Sequence, residues 1–363
     1  MKITVVGAGI VGCAIAHELA SRGARVQLID SRGVGRGATR ASAGILAPHI
    51  EGHIPELRSL AACSLAMYDD FIRRVEQDSG RSIEYNRKGT LQVALDKAEA
   101  LAFAKDARSL AANGVDCEML DSDAARRLEP ALSDRVTAAL LVPMHGFVAA
   151  GPLTEALADA AEARGVRLST VAVLGIDGGP ATARVTTEDE TIESDVVIVA
   201  SGSWPVPSRP SEGPPVKPIR GQLLQLHAEQ AIASRVVWGQ ACYLVPWHDG
   251  TVLVGATVED VGFDERPTVE GVRGLLTAAI GLVPSLEGAH FEQVRVGFRP
   301  KTIDELPMIG RSDTMPGVFY AMGHYRNGVL LAPLTASLMA DLVLENKERA
   351  ELSFVKPGRP ANA

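Results

Sequence analysis

The sequence is poor in cysteine and has no paired cysteine motif. Its 363 residues contain only four cysteines, which stand far apart at Cys13, Cys63, Cys117 and Cys242. No two of them have the spacing of a CxxC motif, so the pattern predicts neither a disulfide framework nor a zinc site. We interpret the cysteines as small apolar residues of a globular core, and we expect no metal centre.

Excess positive charge is also lacking. Lysine and arginine number 36 against 44 aspartates and glutamates, which gives a net charge of −8. A nucleic-acid partner usually needs a basic face, so this balance argues against one. The hydrophobic content of 46% and the charged content of 22% are typical of a globular protein. A chain of this length is longer than one ordinary domain, and we expect two domains.

Long apolar runs are missing as well. No stretch reaches about 18 uncharged apolar residues, so we expect no membrane span. The first twenty residues are apolar enough to imitate a signal peptide. However, Lys2 is their only positive charge, His17 and Glu18 interrupt the run, and no small-residue cleavage site follows. We therefore expect a cytoplasmic protein.

Glycine is abundant where it has a specific use, in the segment Gly7-Ala8-Gly9-Ile10-Val11-Gly12. Residues 2–7 read as a buried strand, 10–22 as a helix and 25–30 as a second strand. The GxGxxG pattern thus follows a strand and opens a helix, and the acidic Asp30 ends the next strand. This context predicts a dinucleotide site, with the pyrophosphate at the helix N-terminus and a ribose hydroxyl on Asp30. A glycine-rich turn without a ligand is the alternative.

The segment SRGVGRGATRASAGILAPH follows Asp30 and contains no acidic residue. Its small side chains would expose many backbone N–H groups, which suits a long, extended and negatively charged ligand. The alternative is a flexible surface loop. The fingerprint does not distinguish NAD from FAD, but this loop helps, because an isolated βαβ unit that binds NAD would not need it.

The order of predicted elements is interleaved. Strands and helices of a doubly wound α/β domain occur at both ends and in the middle, with antiparallel strands between them. We predict one long helix over 55–80, a strand pair over 83–96, and an irregular inter-domain crossing over 204–221, which holds six prolines. Two domains built from discontinuous segments follow: 1–80, 145–215 and 297–363 form the dinucleotide-binding domain, and 81–144 and 216–296 the antiparallel one.

Two arginines and a tyrosine stand out in the C-terminal half. Arg299 ends a predicted strand, and Arg326 precedes a helix predicted from Val329 with Pro333 in its first turn. A cation there is unfavourable beside the positive helix end, by roughly 0.3–1 kcal/mol. A guanidinium that binds a substrate carboxylate would explain it, with Tyr243 adding a hydroxyl. The alternatives are a surface arginine, a salt-bridging arginine and a cross-strand aromatic.

Several segments in the same order resemble the D-amino-acid-oxidase superfamily of FAD-dependent oxidoreductases, and within it the glycine oxidase branch of the thiamine pathway. They are VVGAGIVGCAIAHELA, ATRASAGIL, VVIVASGSW, GFRPKTIDELPMIG and GHYRNGVLLAP. The resemblance spans nearly the whole chain, and its C-terminal pair is the most specific part. It implies an α/β two-domain flavoprotein with a Rossmann-like FAD-binding domain and an antiparallel-sheet substrate domain.

The resemblance also implies roles for individual residues. Arg326, Arg299 and Tyr243 match substrate-binding positions. The expected FAD-binding residues are Gly7, Gly9, Ile10, Val11, Gly12, Asp30, Ser31, Ala38, Thr39, Ala43, Gly44, Ile45, Val173, Gly202, His324, Tyr325, Arg326, Asn327, Gly328, Val329 and Leu330.

The sequence departs from that family at a few positions. Arg40 stands where relatives prefer a small residue, and Trp247 where they commonly have arginine. Trp247 lies four positions past Tyr243, so it bears on the identity of the substrate. The branch with covalent FAD attaches it through a cysteine of the C-terminal region, and none follows Cys242 here. We therefore expect non-covalent FAD.

The implied reaction is oxidative deamination of a small amino acid, namely glycine, sarcosine or a small D-amino acid. Hydride transfer to the flavin would give an imine or 2-oxo acid and ammonia, and molecular oxygen would be reduced to hydrogen peroxide. A D-amino-acid dehydrogenase or secondary-amine oxidase of the same superfamily is the nearest alternative. More distant ones are a nicotinamide-dependent dehydrogenase and a non-catalytic flavin-binding subunit. Relatives usually self-associate, so we expect a homo-oligomer.

Overall fold

The computed structural model describes residues 1–50, 54–179, 182–209 and 215–359. Within these ranges the chain forms 21 strands and eight α-helices. The strands are β1 (Lys2–Val6), β2 (Arg25–Asp30), β3 (Ile45–Leu46), β4 (Tyr85–Asn86), β5 (Thr90–Ala94), β6 (Glu118–Asp121), β7 (Ala138–Val142), β8 (Gly146–Val148), β9 (Arg167–Thr170), β10 (Val173–Asp177), β11 (Ala183–Thr187), β12 (Thr191–Ser194), β13 (Val196–Val199), β14 (Ser208–Arg209), β15 (Lys217–His227), β16 (Val236–Trp238), β17 (Tyr243–Pro246), β18 (Thr251–Gly255), β19 (His290–Lys301), β20 (Met308–Arg311) and β21 (Val318–Met322). The helices are α1 (Ile10–Ser21), α2 (Pro55–Ala66), α3 (Tyr68–Ser79), α4 (Lys97–Ala112), α5 (Ser122–Leu128), α6 (Ala150–Ala163), α7 (Val269–Leu282) and α8 (Gly328–Leu344).

A six-stranded sheet in the order β20-β21-β13-β1-β2-β9 forms the first layer, with all neighbours parallel except β20 and β21. Because side chains alternate across a strand, β1 serves two cores. Ile3 and Val5 pack with helices α1, α6 and α8 on one face, whereas Val6 packs toward the four-stranded sheet β12-β11-β10-β14 on the other. The sheet is therefore covered on both faces, as in doubly wound α/β domains.

The second large sheet has eight strands in the order β19-β15-β18-β17-β16-β5-β7-β6. One face packs under helix α7, where Leu224 and Val254 contact Leu275 in a separate core. The opposite face carries Leu223 and Leu253, which pack with Ala43 and Phe147. This face thus points toward the loop that follows β2. We propose that the domains predicted from the sequence follow this division of strands, although strand β19 crosses the predicted bound at 297.

Helix 55–80 is not continuous, because it breaks at Met67 into α2 and α3. The residues on either side of the break bind the C-terminal helix α8. The Ser64 Oγ accepts a hydrogen bond from the Leu334 N–H at 3.3 Å, and the Tyr68 hydroxyl donates to the Val329 carbonyl at 2.5 Å.

The start of helix α8 and the Tyr68 contact correct the prediction for Pro333. Helix α8 begins at Gly328, so Pro333 lies in the second turn and not in the first. A proline has no N–H for the carbonyl four residues earlier, which here belongs to Val329. The Tyr68 hydroxyl supplies the missing donor. The proline is therefore tolerated through a tertiary contact that the local sequence does not show.

Two further predictions need correction. The segment 83–96 does form two strands, but β4 and β5 join different sheets and do not form a hairpin. The irregular crossing over 204–221 ends earlier than predicted, because strand β15 begins at Lys217 and includes Pro218, while residues 210–214 lie outside the described ranges. Pro218 faces Pro300 of β19 in the ladder.

Among the described residues, no helix is both long enough and apolar enough to cross a bilayer.

Candidate active site

The GxGxxG turn has the geometry that the sequence predicts, and two of its glycines are sterically required. Gly7 has a φ of +111°, and a Cβ there would lie 2.4 Å from the Ala200 carbonyl oxygen. A Cβ on Gly12 would lie 1.8 Å from the carbonyl oxygen of Gly7. At Gly9 a Cβ would meet only the Thr39 hydroxyl, at 3.4 Å, on the side that faces a large cavity. The backbone of the turn is thus exposed to a ligand.

Two side chains fix this turn. The carboxylate of Asp30 accepts a hydrogen bond from the Ala8 N–H at 2.8 Å and another from the Arg32 N–H at 2.7 Å. The Thr39 hydroxyl accepts from the Ile10 N–H at 3.1 Å, so it caps the start of α1. The turn therefore depends on residues 20 to 30 positions later, and the capping role of Thr39 has no signal in the local sequence.

A single cavity of about 550 Å³ runs from this turn to the eight-stranded sheet. Its volume is within the range of ligand pockets, roughly 300–1,000 Å³. All but one of the predicted cofactor residues line it; Gly12 lies beneath the turn instead. The three predicted substrate residues Arg299, Arg326 and Tyr243 line the same cavity. The structure therefore brings together residues from four distant parts of the chain.

The geometry of this cavity fits FAD. Its first part offers a helix N-terminus and a glycine turn without side chains, which suits a pyrophosphate. Further glycines face the cavity from the other sides. Gly44 has a φ of +71°, and a Cβ there would lie 1.7 Å from the Val148 carbonyl oxygen, while Gly202 has a φ of +64°. At these glycines the wall carries no side chain, which leaves room for an extended dinucleotide.

Arg299 is held by hydrogen bonds to backbone carbonyls. Its side chain is half-buried, and its Nη1 donates to the Thr257 carbonyl at 2.9 Å and to the Arg220 carbonyl at 3.3 Å. The guanidinium lies directly over Gly221, where a Cβ would come within 2.5 Å of Nη1. Carbonyl groups orient a guanidinium but leave its charge uncompensated. Arg299 is thus a preorganised cation at the cavity wall.

Arg326 is exposed and lies at the rim of the cavity. Its guanidinium carbon lies 5.1 Å from the centre of the Tyr325 ring, and the ammonium of Lys301 lies 5.3 Å from the same centre. Tyr325 has a left-handed φ of +48°, and its N–H donates to the Pro300 carbonyl at 2.9 Å. Such a conformation costs about 1–3 kcal/mol in a non-glycine residue and is typical of functional loops.

Tyr243 and His324 complete this end of the cavity. The Tyr243 ring lies across Gly255 on the neighbouring strand, where a Cβ would come within 2.4 Å of its hydroxyl. His324 is 3% exposed, and its Nε2 lies 3.1 Å from the Thr335 hydroxyl. Burial lowers the pKa of His324 from 6.5 to about 4. The imidazole is therefore neutral at pH 7 and adds no third positive charge.

Sequence reasoning missed several cavity residues that come from loops and strand ends, namely Trp204, Trp238, Gln240, Ala256 and Val258. The two departures from the family pattern lie elsewhere. Trp247 does not line the cavity; it packs with Tyr243 in the apolar cluster behind it. The guanidinium of Arg295 lies 5.8 Å from the Trp247 ring, and the positive charge of Arg40 helps burial to lower the pKa of Arg295. Trp247 and Arg40, the two departures from the family pattern, therefore both interact with the Arg295 side chain.

Comparison with known proteins agrees with a cavity that binds FAD. Residues 2–342 match the family described as FAD dependent oxidoreductase. The chain is 33% identical to a glycine oxidase of Geobacillus kaustophilus over 96% of this chain and 94% of that protein. A crystal structure of glycine oxidase from that organism superposes with a TM-score of 0.94 at 32% identity, covering 99% of both chains.

Two other similarities bear on function. The chain is 34% identical to the bifunctional protein ThiO/ThiG of Synechocystis sp. over 98% of its own length, but it spans only 54% of that protein. A crystal structure of iminodiacetate oxidase from Chelativorans sp. superposes with a TM-score of 0.89 at 29% identity, covering 98% of both chains.

Proposed function

This chain belongs to the family of FAD-dependent oxidoreductases, and we propose that it oxidatively deaminates a small amino acid, with glycine, sarcosine or a small D-amino acid as the substrate. The observation that carries the proposal is the placement of Arg299, Arg326 and Tyr243 at the opposite end of the FAD cavity from the GxGxxG turn. This end combines two guanidinium groups and a hydroxyl, which together suit a carboxylate.

The protein contributes mainly the position of the substrate. When bound, FAD would supply the electron acceptor, since its isoalloxazine ring takes up the hydride, with its two electrons, that leaves the Cα–H bond of the substrate. Arg299, held by two backbone carbonyls, would bind the carboxylate from the wall of the cavity, and Arg326 would bind it from the rim. Because both cations come from different elements, the substrate is fixed in orientation as well as in place.

The surroundings favour negative charge and disfavour a second cation. Helix α8 begins at Gly328 beside the cavity, so the positive end of its dipole faces this region. We expect the substrate amine to react in its neutral form, since a protonated amine has no free electron pair to stabilise the developing C=N bond. The positive guanidinium groups of Arg299 and Arg326 favour loss of that proton by electrostatic repulsion, whereas neutral His324 adds no charge.

A secondary amine with two carboxylates is the second candidate substrate. The observation that favours it is the presence of two arginines at the same end of the cavity, since each could bind one carboxylate. The similarity to iminodiacetate oxidase points in the same direction. Oxygen is the proposed acceptor that regenerates the oxidised flavin.

A substrate panel tests the proposal. The purified protein is expected to be yellow and to release FAD on denaturation. Under anaerobic conditions its absorbance near 450 nm should be bleached by at least one of glycine, sarcosine, D-alanine, D-proline and iminodiacetate, and admission of air should restore the colour and produce hydrogen peroxide. If no amine of the panel bleaches the flavin, the proposed activity is wrong. Bleaching without peroxide would indicate a dehydrogenase.

A further inference from the structure

A stack of side chains connects the two large sheets at the edge of the cavity. The rings of Trp204 and Phe263 lie parallel, with centroids 4.6 Å apart and an interplanar angle of 21°. The Phe298 ring packs edge-on against both of them, at 5.9 and 5.3 Å. The guanidinium of Arg32 also lies over the Trp204 ring, 4.9 Å from its centroid. Phe263, in a loop of the eight-stranded sheet, is thus joined through one indole ring to Arg32, which follows strand β2 of the six-stranded sheet.

Arg32 makes hydrogen bonds to two separate regions of the structure. Its backbone N–H donates to the carboxylate of Asp30, the predicted ribose ligand, at 2.7 Å. Its side chain reaches the loop that follows β18, where Nη2 donates to Glu265 at 2.8 Å. The same residue therefore fixes the nucleotide end of the cavity and the tip of a loop from the eight-stranded sheet.

This loop is anchored both at its base and on either side of Glu265, so its tip has a defined position. Buried Arg220 donates to the side chain of Glu259 at 2.9 Å and to the carbonyls of Asp264 and Arg266 at 3.2 and 2.9 Å. The backbones of Arg220 and Glu259 also exchange two hydrogen bonds, at 2.8 and 2.9 Å. In this loop Val258 lines the cavity, whereas Phe263 and Glu265 do not.

We propose that Arg32, Trp204, Phe263 and Glu265 form a clamp that retains FAD. Arg32 and Trp204 are part of the cavity wall, and Phe263 and Glu265 hold them in place from outside. Release of the cofactor requires that this wall loosens, which in turn requires that the loop tip leaves Trp204. The clamp depends on FAD binding and not on the identity of the substrate, so it stands or falls separately from the proposed amino-acid oxidation.

Variants on the outer side of the clamp provide the decisive test, because these residues do not line the cavity. The holoenzyme is diluted, and the rate of FAD release is followed by the rise in flavin fluorescence. We expect release to be about fivefold faster in Phe263→Ala and about threefold faster in Glu265→Gln, as exposed ring and ion-pair contacts of roughly 0.5–1 kcal/mol imply. Arg32→Ala removes both the contact with the Trp204 ring and the ion pair with Glu265, so it should accelerate release about tenfold.

Lys217→Ala serves as the matched control, since Lys217 pairs with Asp260 of the same loop but takes no part in the stack. Its release rate should equal that of the wild type. Raising the salt concentration should accelerate release from the wild type and have less effect on Glu265→Gln, because salt screens the exposed Arg32–Glu265 pair.

The double variant Arg32→Ala/Phe263→Ala separates a clamp from independent contacts. A clamp predicts that the double variant releases FAD about as fast as Arg32→Ala alone, because the two residues act through one stack. If the effects of the two substitutions multiply, or if Phe263→Ala and Glu265→Gln release FAD at the wild-type rate, the clamp is wrong and Arg32 acts on the cofactor only by direct contact.

Discussion

The two ends of the cavity are built in different ways. At the GxGxxG turn the backbone itself forms the site, and Gly7 and Gly12 are required because any Cβ would collide with main-chain atoms. At the other end side chains form the site, and their orientation depends on partners far away in the sequence. Arg299 is held by the carbonyls of Arg220 and Thr257, which lie 79 and 42 positions away. A local backbone motif can be read from sequence, whereas a set of long-range contacts cannot.

The largest expected effect comes from breaking the backbone end. In Gly12→Ala the new methyl group would lie 1.8 Å from the Gly7 carbonyl oxygen, so the turn must move and the pyrophosphate site is lost. We expect protein without bound flavin, measured as the ratio of absorbance at 450 and 280 nm. Gly274→Ala in helix α7 is the control, because a Cβ there meets nothing within 4 Å. Stoichiometric FAD in purified Gly12→Ala would contradict this account.

Breaking the side-chain end should have the opposite pattern, with activity lost and flavin retained. Arg299→Ala removes a preorganised partner of the substrate carboxylate, and hydrogen bonds to charged groups contribute roughly 1.5–3 kcal/mol. We therefore expect kcat/KM to fall about 100-fold. Because Arg326 is exposed, Arg326→Ala should cost less, about tenfold. Arg184→Ala, which breaks an exposed ion pair with Glu193 elsewhere, should leave both flavin and activity unchanged.

The side-chain end should also be sensitive to acid. Burial lowers the pKa of His324 to about 4, so between pH 6.5 and 4 the unfolded chain binds a proton at this residue that the folded chain does not. The free energy of unfolding must therefore fall as the pH drops through this range, by about 2 kcal/mol at pH 5. His145 is buried too, and its lowered pKa acts in the same direction.

Urea unfolding at pH 7.5 and pH 5 checks this expectation with His324→Gln, which can still bond to Thr335 but cannot titrate. The wild type should lose more stability than the variant between the two pH values. An equal loss in both proteins would show that His324 does not carry the acid sensitivity.

A further expected effect, on stability alone, concerns the helix that supports this end. Tyr68→Phe removes the hydrogen bond that replaces the one lost at Pro333, and it leaves the Val329 carbonyl without that donor. An unsatisfied buried acceptor costs about 1–3 kcal/mol. We expect a lower urea midpoint with unchanged m-value. Tyr85→Phe, whose hydroxyl bonds to exposed Asp69, should be nearly neutral, so equal effects would contradict the assignment.

These differences explain what could be predicted from the sequence. Strands β1 and β2 and helix α1 follow from hydrophobic periodicity and glycine spacing within 30 residues, and the structure confirms them. The ribose role of Asp30 stays a prediction. The prediction for Pro333 is wrong because the hydroxyl that replaces its missing donor belongs to Tyr68, 265 positions earlier. Val258 and Trp204 cannot be predicted as cavity residues, because a wall made of loop residues has no periodic signal. The roles of Arg299, Arg326 and Tyr243 remain predictions drawn from family resemblance.

The most direct test of the central claim compares two substrates that differ only in the carboxylate. Anaerobic flavin reduction is measured with glycine and methylamine, or with another active amino acid and its decarboxylated amine, in the wild type and in Arg299→Ala/Arg326→Ala. We predict that the wild type prefers the amino acid by at least about 100-fold in apparent second-order rate, and that the double variant, still carrying FAD, loses this preference. An unchanged preference in the double variant would contradict the account, because the carboxylate would then be bound elsewhere.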